Sequence, residues 1–357
     1  MIEGRKGDHL DLCCSLNVEF RKKTTLLEDV DLIYSSIPEL SFEEVDISVQ
    51  FLGKRLKAPL IITAMTGGTE RAKRINKDMA RVAEKYGLGV GVGSQRAMYE
   101  DPQLAETFEV RDVAPNVLLL GNIGLTQAKD METGEVQALA DKIGADVMCV
   151  HLNPAMELFQ REGDKNFTQG YETFKRLKQG LSCKVMAKET GCGMSREVGL
   201  NLKTLGIEYV DVSGAGGTSW VAVEVLRNTN LNKDLGDLYW DWGIPTAASI
   251  CEVADLNFEM VASGGIRSGL DIAKSISLGA QVTGVALPIL RAYFSDAERG
   301  VERYIQYLIT GLRIAMVLTG SRDLADLKRQ KLTLSGKLRE WIISRGLEGI
   351  YEGRCII

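Results

Sequence analysis

Eight apolar runs of strand length recur along the chain, each bounded by glycine, proline or a polar turn. Most are followed by a segment with the apolar period of an amphipathic helix, so strand and helix alternate. Strands that are almost entirely apolar are typical of a parallel sheet covered on both faces. The predicted strands are residues 58–65, 88–94, 116–122, 145–153, 182–189, 207–213, 260–264 and 281–287, and the clearest predicted helices are 71–85, 134–143, 171–179, 195–205 and 269–278.

Eight such β/α units without a low-complexity linker favour an α/β protein with a closed (β/α)8 TIM barrel. A doubly wound open sheet is the structural alternative. Residues 1–50 are predicted to form an N-terminal extension, and residues 51–357 the barrel with terminal helices over 301–350. The length of 357 residues does not by itself choose between one large domain and two ordinary ones.

Composition narrows the class of protein. An apolar content of 45% and a charged content of 25% are typical of a globular chain with a sizeable core. The net charge of −5 argues against a nucleic-acid partner. We find no signal peptide and no membrane-spanning run, so we expect a cytoplasmic protein without a membrane partner. The seven cysteines form no C-x-x-C pair, and we interpret them as reduced, mostly packed thiols.

Two glycine-rich turns each end a predicted strand and precede a helical pattern, at residues 213–217 and 263–267. Glycines let successive backbone N–H groups face an anion, and the N-terminus of the following helix adds to the attraction. A third strand carries Gly284-Val285-Ala286. Together they predict the phosphate site that (β/α)8 barrels form at the ends of their last strands.

Polar residues at the carboxyl ends of the strands are the candidates for chemistry. His151 and Asn153 share one face of their strand with Cys149, and Glu157 follows within one turn. We expect this face to point into the mouth of the barrel. A histidine satisfied within the core is the alternative interpretation.

Lys188 ends the fifth predicted strand. A buried lysine is costly without an anion, which favours a bound anionic cofactor, although an ion pair with Glu189 or another carboxylate would also satisfy it. Asp211 and Ser213 end the next strand. Trp220 and Glu224 lie at helical i,i+4 spacing beyond the glycines, where an aromatic ring either packs in the core or walls a ligand pocket.

Further polar groups follow the first three strands, at Thr66, Ser94 and Asn122. Each alone is a weak signal. Six strand ends with usable polar groups would be excessive for a purely structural barrel. The pattern suggests a large planar ligand with a phosphate tail, such as flavin mononucleotide (FMN).

Set out in order, six motifs resemble the FMN-dependent type 2 isopentenyl diphosphate isomerase family. The resemblance runs from Arg5 to residues 318–321 and implies a homotetramer or homo-octamer. It also implies interconversion of isopentenyl and dimethylallyl diphosphate with reduced FMN and Mg²⁺, NAD(P)H being needed only to reduce the flavin. The motifs are Arg5-Lys6-Gly7-Asp8-His9, Met65-Thr66-Gly67-Gly68, Gly93-Ser94-Gln95-Arg96, His151-Leu152-Asn153-Pro154, Gly214-Ala215-Gly216-Gly217-Thr218 and Ser263-Gly264-Gly265-Ile266-Arg267.

The resemblance also implies roles for individual residues, including a contribution of the N-terminal extension to the substrate site. The implied flavin contacts are Thr63, Ala64, Met65, Thr66, Ser94, Asn122, Lys188, Ser213 and Thr218, with Gly264, Gly265, Arg267, Gly284 and Ala286 around the phosphate. The implied substrate contacts are Arg5, Lys6, His9, Arg96, His151 and Asn153. The implied catalytic group is Lys188, His151, Met156, Glu157, Trp220 and Glu224, and Glu157 is also the implied magnesium ligand.

The chain departs from the family pattern at two positions. Met156 stands where the family keeps a glutamine thought to relay a proton, and Arg161 stands where proline is common. A thioether cannot donate a hydrogen bond and accepts only weakly, so Met156 cannot pass a proton as an amide can. Either the substitution is tolerated, or the chain is a paralogue. Such a paralogue would use reduced FMN for a cyclisation or a different double-bond shift on an allylic or longer prenyl diphosphate.

Two other classes remain possible from the sequence. A flavin oxidoreductase of the hydroxy-acid-oxidase type shares the barrel and the Ser-Gly-Gly-Ile-Arg loop, but it needs a histidine base on a late strand, and no histidine follows His151. A non-catalytic sensor of a phosphorylated ligand is the other alternative. Retention of Lys188, His151 and Glu157 argues against a sensor.

Overall fold

The computed structural model describes residues 2–228 and 233–355, with side chains described from residue 6 onward. Eight parallel strands close into a barrel in chain order, β4 to β11, with β11 pairing back onto β4. The (β/α)8 prediction is therefore confirmed, and the open sheet is excluded. The strands of these residues are β1 Val30–Leu32, β2 Val49–Phe51, β3 Lys54–Leu56, β4 Leu60–Ile62, β5 Gly89–Gly91, β6 Leu118–Gly124, β7 Val147–Leu152, β8 Lys184–Glu189, β9 Tyr209–Asp211, β10 Glu259–Ala262, β11 Val282–Val285 and β12 Leu332–Leu334.

Helices surround the barrel, and serine or threonine caps begin several of them. The Thr69 and Ser219 side chains each accept a backbone N–H of the first turn, which satisfies a donor that the helix itself leaves unpaired. The α-helices are α1 Ile2–Ser15, α2 Glu70–Tyr86, α3 Arg96–Glu100, α4 Leu125–Asp130, α5 Thr133–Ile143, α6 Pro154–Phe159, α7 Gly170–Gly180, α8 Arg196–Thr204, α9 Trp220–Arg227, α10 Lys233–Tyr239, α11 Thr246–Val253, α12 Gly269–Leu278, α13 Leu287–Leu318, α14 Leu324–Arg329 and α15 Gly336–Arg345.

The N-terminal extension contacts both ends of the barrel. Helix α1 packs on α9 and α13 beside the carboxyl ends of the strands. The hairpin of β2 and β3 inserts Phe51, Leu52 and Leu56 into the apolar cluster at the opposite end, inside the barrel. The predicted boundary at residue 50 falls within β2, so extension and barrel share this hairpin.

The two chain ends meet in a small sheet that the apolar pattern did not predict. Strand β1 pairs antiparallel with β12, with Val30 opposite Leu334. The segment 301–350 was predicted as helices alone. It contains β12 between α14 and α15, and the helix over its first part begins earlier, at Leu287. Helix α13 is interrupted at Asp296 and Ala297, where the backbone leaves helical geometry.

Candidate active site

A cavity lies at the carboxyl ends of the barrel strands. Its empty volume, including the open mouth, is about 1520 Å³. All the residues predicted to contact the flavin line this one cavity: Thr63, Ala64, Met65, Thr66, Ser94, Asn122, Lys188, Ser213, Thr218, Gly264, Gly265, Arg267, Gly284 and Ala286.

The glycine turns form one side of the cavity. Gly264 and Gly265 have φ of +93° and +79°, a backbone conformation that L side chains rarely adopt. A Cβ at Gly264 would lie 2.1 Å from the Gly214 carbonyl oxygen, so the two turns pack too closely for any side chain. Helix α13 begins at Leu287, directly after Ala286 in the cavity wall. A helix N-terminus next to glycine turns favours a bound phosphate group.

Arg267 is held beside the glycine turns by Glu19 of the N-terminal extension. Its guanidinium donates to Glu19 at 2.5 Å, and Arg291 donates to the same carboxylate at 3.0 Å. Burial by itself raises the pKa of Glu19, but the hydrogen bonds from the two arginines outweigh it and hold the pKa below its usual range. The extension therefore fixes a cation next to the glycine turns.

Lys188 is buried at the end of β8, and its Nζ donates to the Asp211 carboxylate at 2.6 Å. The ion-pair alternative from the sequence is thus the one observed, with Asp211 rather than Glu189 as the carboxylate. The Glu189 backbone carbonyl accepts a second bond from Lys188 at 3.1 Å. Asp211 also accepts from the Ser263 hydroxyl at 2.7 Å, which links three strand ends beneath the cavity.

His151 is buried at the end of β7 and lines the cavity, as the strand alternation predicted. Its Nδ1 lies 2.8 Å from Asn122 Oδ1. Because an amide oxygen only accepts, Nδ1 carries the proton and the neutral ring presents Nε2 as an acceptor. Burial, with Lys188 and Lys6 nearby, lowers the pKa of His151 to about 3. The imidazole is therefore neutral at physiological pH.

Glu157 and Asn153 form a polar corner where β7 runs into α6. Asn153 Nδ2 donates to Glu157 Oε1 at 3.1 Å, and the Asp164 backbone N–H donates to Oε2 at 2.8 Å. Met156 lines the cavity beside them, with its sulfur 3.8 Å from Asn153 Nδ2. An apolar, polarizable group thus faces the ligand space next to an acidic one.

Helix α1 covers the cavity from the N-terminal side. Lys6 and His9 line it, and Lys6 Nζ donates to the Ser94 carbonyl oxygen at 2.9 Å. His9 packs edge-on against Trp220, with ring centroids 5.4 Å apart. The Arg5 side chain lies outside the described residues.

Glu224 was predicted as a site residue, but it lies behind the residues that line the cavity. It is fully buried, and its Oε1 accepts from His9 Nε2 at 2.8 Å. Arg96, by contrast, lines the cavity directly and pairs with Glu100 at 2.7 Å.

A turn after β8 contributes residues that the sequence analysis missed. The Glu189 carboxylate accepts the backbone N–H groups of Thr190, Gly191 and Cys192 at 2.6, 2.7 and 2.5 Å. Burial is the largest influence on Glu189 and raises its pKa to about 7, although these hydrogen bonds oppose it. Thr190 and Gly191 line the cavity. The signal was present, since Thr190-Gly191-Cys192-Gly193 follows its strand as the other glycine turns follow theirs.

Other residues that line the cavity were not among the predicted site residues. They are Leu10, Cys13, Gln127, Gln160, Ile266, Val285, Leu287 and Leu290. Among the described residues no two cysteines form a disulfide bond, and burial raises the pKa of Cys13 and of Cys149 to about 12. These two groups are therefore uncharged thiols, in agreement with the interpretation of the cysteines as reduced and packed.

Neither a cluster of metal-ligating side chains nor a membrane-spanning helix occurs among the described residues. No group of three or more His, Cys, Asp or Glu side chains is arranged there to hold a metal ion. Within the same ranges, none of the helices is both long enough and apolar enough to cross a bilayer.

The FMN-dependent dehydrogenase family matches residues 151–334 of the chain. Over nearly the full length, the chain is similar to proteins named isopentenyl-diphosphate delta-isomerase. It is 44% identical to that of Methanothermobacter thermautotrophicus over 350 residues, covering 98% of each chain. It is 44% identical to that of Archaeoglobus fulgidus, covering 96% of this chain and 99% of the relative. It is 43% identical to that of Metallosphaera sedula, covering 98% of this chain and 97% of the relative.

Solved structures show the same fold at low sequence identity. A mutant flavocytochrome b2 with benzoylformate superposes with a TM-score of 0.69 at 19% identity, covering 93% of this chain and 84% of that one. A mutant mandelate oxidase with a monooxide FMN adduct superposes with a TM-score of 0.61 at 16% identity, covering 91% of this chain and 95% of that one. Both establish the barrel architecture and leave the chemistry to be argued from the site.

Proposed function

This chain belongs to the isopentenyl-diphosphate delta-isomerase family, and from that membership we infer that it interconverts isopentenyl and dimethylallyl diphosphate with a bound flavin. We propose in addition that the flavin works reduced, that Mg²⁺ is required, and that the cavity at the carboxyl ends of the strands is the reaction site. The observation that carries the proposal is that residues expected to hold a flavin and residues expected to hold a diphosphate line one cavity.

The glycine turns suit the flavin phosphate. Their backbone conformation and the start of α13 provide N–H donors, and Arg267 provides a fixed cation at the same side. Asn122, Ser213 and Lys188 would then contact the ring, with the Lys188 ammonium next to its polar edge. When bound and reduced, FMN supplies an electron-rich ring system that can carry a proton and stabilise positive charge on the substrate.

The opposite side of the cavity suits the diphosphate. Lys6 and Arg96 bring positive charge, and Asn153 brings an amide donor. His151 is neutral and its Nδ1 is bonded to Asn122, so it adds no charge and offers only Nε2 to the ligand space. The reaction shifts a double bond with no net redox change, because one carbon gains a proton and a neighbouring carbon loses one.

Glu157 is the residue we propose for Mg²⁺. Magnesium is commonly held by one or two carboxylates together with phosphate oxygens of the substrate and water. A single carboxylate at the diphosphate side meets that requirement without the larger ligand cluster, which the described residues lack. Asn153 and the Asp164 N–H orient the carboxylate from opposite sides.

Product analysis tests this function. Photoreduced enzyme with FMN, Mg²⁺ and isopentenyl diphosphate should form dimethylallyl diphosphate, and omission of Mg²⁺ or of reductant should abolish turnover. A protein that binds FMN and isopentenyl diphosphate but forms no dimethylallyl diphosphate would refute the isomerase assignment. A colourless protein that cannot be reconstituted with FMN would instead favour the sensor.

One observation supports a second candidate. Met156 places a thioether in the cavity wall beside Asn153, where it could stabilise developing positive charge on a longer prenyl chain. Geranyl and farnesyl diphosphates should therefore be offered in the same assay. Cyclised or double-bond-shifted products from these compounds, with no reaction of isopentenyl diphosphate, would establish the paralogue.

We also propose a cytoplasmic homotetramer or homo-octamer that receives its electrons from NAD(P)H, as the sequence resemblance implies. Light scattering should give four or eight times the 39.2 kDa mass of one chain. A mass of one or two chains would contradict the assembly. Anaerobic bleaching of the flavin absorbance by NADPH or NADH would support the reductant.

A further inference from the structure

Arg227 lies at the end of α9 and contacts two carboxylates from different parts of the chain. Its Nε donates to Glu224 Oε2 at 2.9 Å, one turn earlier in the same helix. Its Nη2 donates to Glu162 Oε2 at 2.9 Å, in the segment that follows α6. Only 12% of the arginine side chain is exposed and Glu224 is fully buried, whereas 57% of the Glu162 side chain is exposed.

Glu224 links this arginine to the helix over the cavity. It is fully buried, with one oxygen accepting from His9 and the other from Arg227. A buried carboxylate is costly unless it is paired and hydrogen-bonded. Arg227 therefore stabilises the Glu224 carboxylate, which in turn binds His9. Because His9 is part of α1, this contact holds α1 over the cavity.

Glu162 links the same arginine to the Glu157 corner. The segment 160–165 folds back on Glu157, so that the Asp164 N–H reaches Glu157 Oε2 and Lys165 Nζ reaches the Glu157 carbonyl at 3.1 Å. A Cβ at Gly163 would lie 2.0 Å from that carbonyl oxygen, which shows how closely the segment packs. Holding Glu162 keeps this segment, and therefore the Glu157 carboxylate, in place.

We propose that Arg227 is a positioning residue for the reaction: one guanidinium fixes both the N-terminal helix over the cavity and the segment that orients Glu157. Arg227 itself would contact neither the flavin nor the diphosphate, since it is not among the residues that line the cavity. A lysine could not replace it, because a single ammonium lacks the planar fork that reaches two carboxylates at once. The kinetic consequence rests on the proposed function, whereas the structural coupling does not.

Hydrogen exchange measured by mass spectrometry tests the coupling without turnover. In the holoenzyme, R227Q should accelerate exchange in both peptides 6–15 and 160–165. E162Q, whose acid is exposed and whose loss spares the Glu224 pair, should accelerate only 160–165. The matched control is R329Q, which also removes the last arginine of a helix paired to an acid three residues earlier, but at an exposed site. It should change neither peptide.

Kinetics test the positioning role. R227Q should raise KM for isopentenyl diphosphate on the order of tenfold to a hundredfold, the range in which misplaced binding groups act. E162Q should raise the Mg²⁺ concentration needed for half-activation, and should add nothing when combined with R227Q. R227K should retain the thermal midpoint without restoring KM.

Unchanged exchange in both peptides of R227Q, or effects of E162Q and R227Q that simply add, would overturn the proposal. If R227Q fails to fold, E162Q and R227K carry the same test. Failure of the proposed function is distinguishable, because wild-type enzyme would then not convert isopentenyl diphosphate while the exchange pattern still appeared.

Discussion

Met156 is the residue on which the choice of reaction turns. It lines the cavity next to Asn153 and Glu157 but can neither donate nor relay a proton. If proton transfer limits the isomerisation, M156Q should raise turnover of isopentenyl diphosphate by about tenfold or more, a modest share of what a positioned acid or base contributes. Steady-state kinetics of photoreduced enzyme would measure this.

M156L is the matched control, because it preserves size without a polar group and should leave the turnover near that of the wild type. An unchanged or lower rate in M156Q would argue against a relay at this position. A tolerated substitution would then be the better account of the methionine in an enzyme that turns over isopentenyl diphosphate.

His151 gives a pH prediction with a definite sign. Its folded-state pKa of about 3 lies below the unfolded value, so below pH 6.5 the unfolded chain takes up a proton that the folded chain refuses. The stability contribution is complete above pH 6.5 and is lost as the pH falls toward 3. By pH 5 the loss is about 2 kcal/mol of the free energy of unfolding.

Thermal midpoints of the wild type and of H151N, measured from pH 7.5 to pH 5, would show this loss as a difference between the two profiles. Glu189, whose raised pKa acts in the opposite sense over this interval, titrates in both proteins. Identical pH profiles would contradict a buried neutral imidazole.

At the scale of elements, the hairpin of β2 and β3 closes the end of the barrel opposite the cavity. Its turn places Leu52 and Gly53 at φ of +53° and +81°, which suits a two-residue hairpin turn. Leu52 N–H donates to Glu259 at 3.1 Å, and Lys184 donates to the Leu52 carbonyl. The hairpin is thereby fastened to β8 and β10, and its apolar side chains complete the core inside the barrel.

F51A should therefore destabilise the protein by about 3–5 kcal/mol, since Phe51 is fully buried and its loss leaves a cavity. The affinity for FMN, measured by quenching of flavin fluorescence, should be nearly unchanged because the flavin site is proposed at the other end of the barrel. I37A in the same extension serves as the control, because Ile37 is 78% exposed and its truncation should have little effect. Equal thermal midpoints for F51A and I37A would contradict the role of the hairpin.

At the scale of the whole molecule, the C-terminal helix α15 is fastened to the barrel through one buried acid. Glu252 of α11 accepts from Trp341 and from Arg345, each at 2.8 Å, and from the Arg196 backbone N–H at 2.9 Å. The acid is fully buried, whereas Arg345 is partly exposed. The contact therefore joins three helices that are distant in sequence.

R345A should lower stability by about 2–3 kcal/mol, less than for a fully buried pair because solvent screens the arginine. R303A breaks an exposed pair with Asp296 and should lower stability much less than R345A. Denaturant unfolding of both variants would compare them. Similar losses in the two would show that Glu252 is not an anchoring site.

The sequence by itself determined the eight barrel strands, favoured their closure and placed polar groups at most of the strand ends that line the cavity. Apolar runs such as 145–153 and 182–189 record burial on both faces, and that signal is local. Glycine turns are equally local, because Gly264 and Gly265 need a backbone conformation that few other residues adopt. Seven of the predicted strands are longer than the observed barrel strands, since the apolar pattern continues into segments such as those lining the cavity, and the predicted strand 116–122 is displaced by two residues from β6.

Only the tertiary structure decided which charges meet. Lys188 pairs with Asp211, Arg267 with Glu19, and Arg227 with Glu162, across separations that no local pattern records. The three-residue strands β1 and β12 exist only because they pair with each other, as their own sequences are too short to specify a sheet. The pattern of apolar and polar positions indicates how deeply each segment is buried. Contacts between distant segments depend instead on how the closed barrel brings them together.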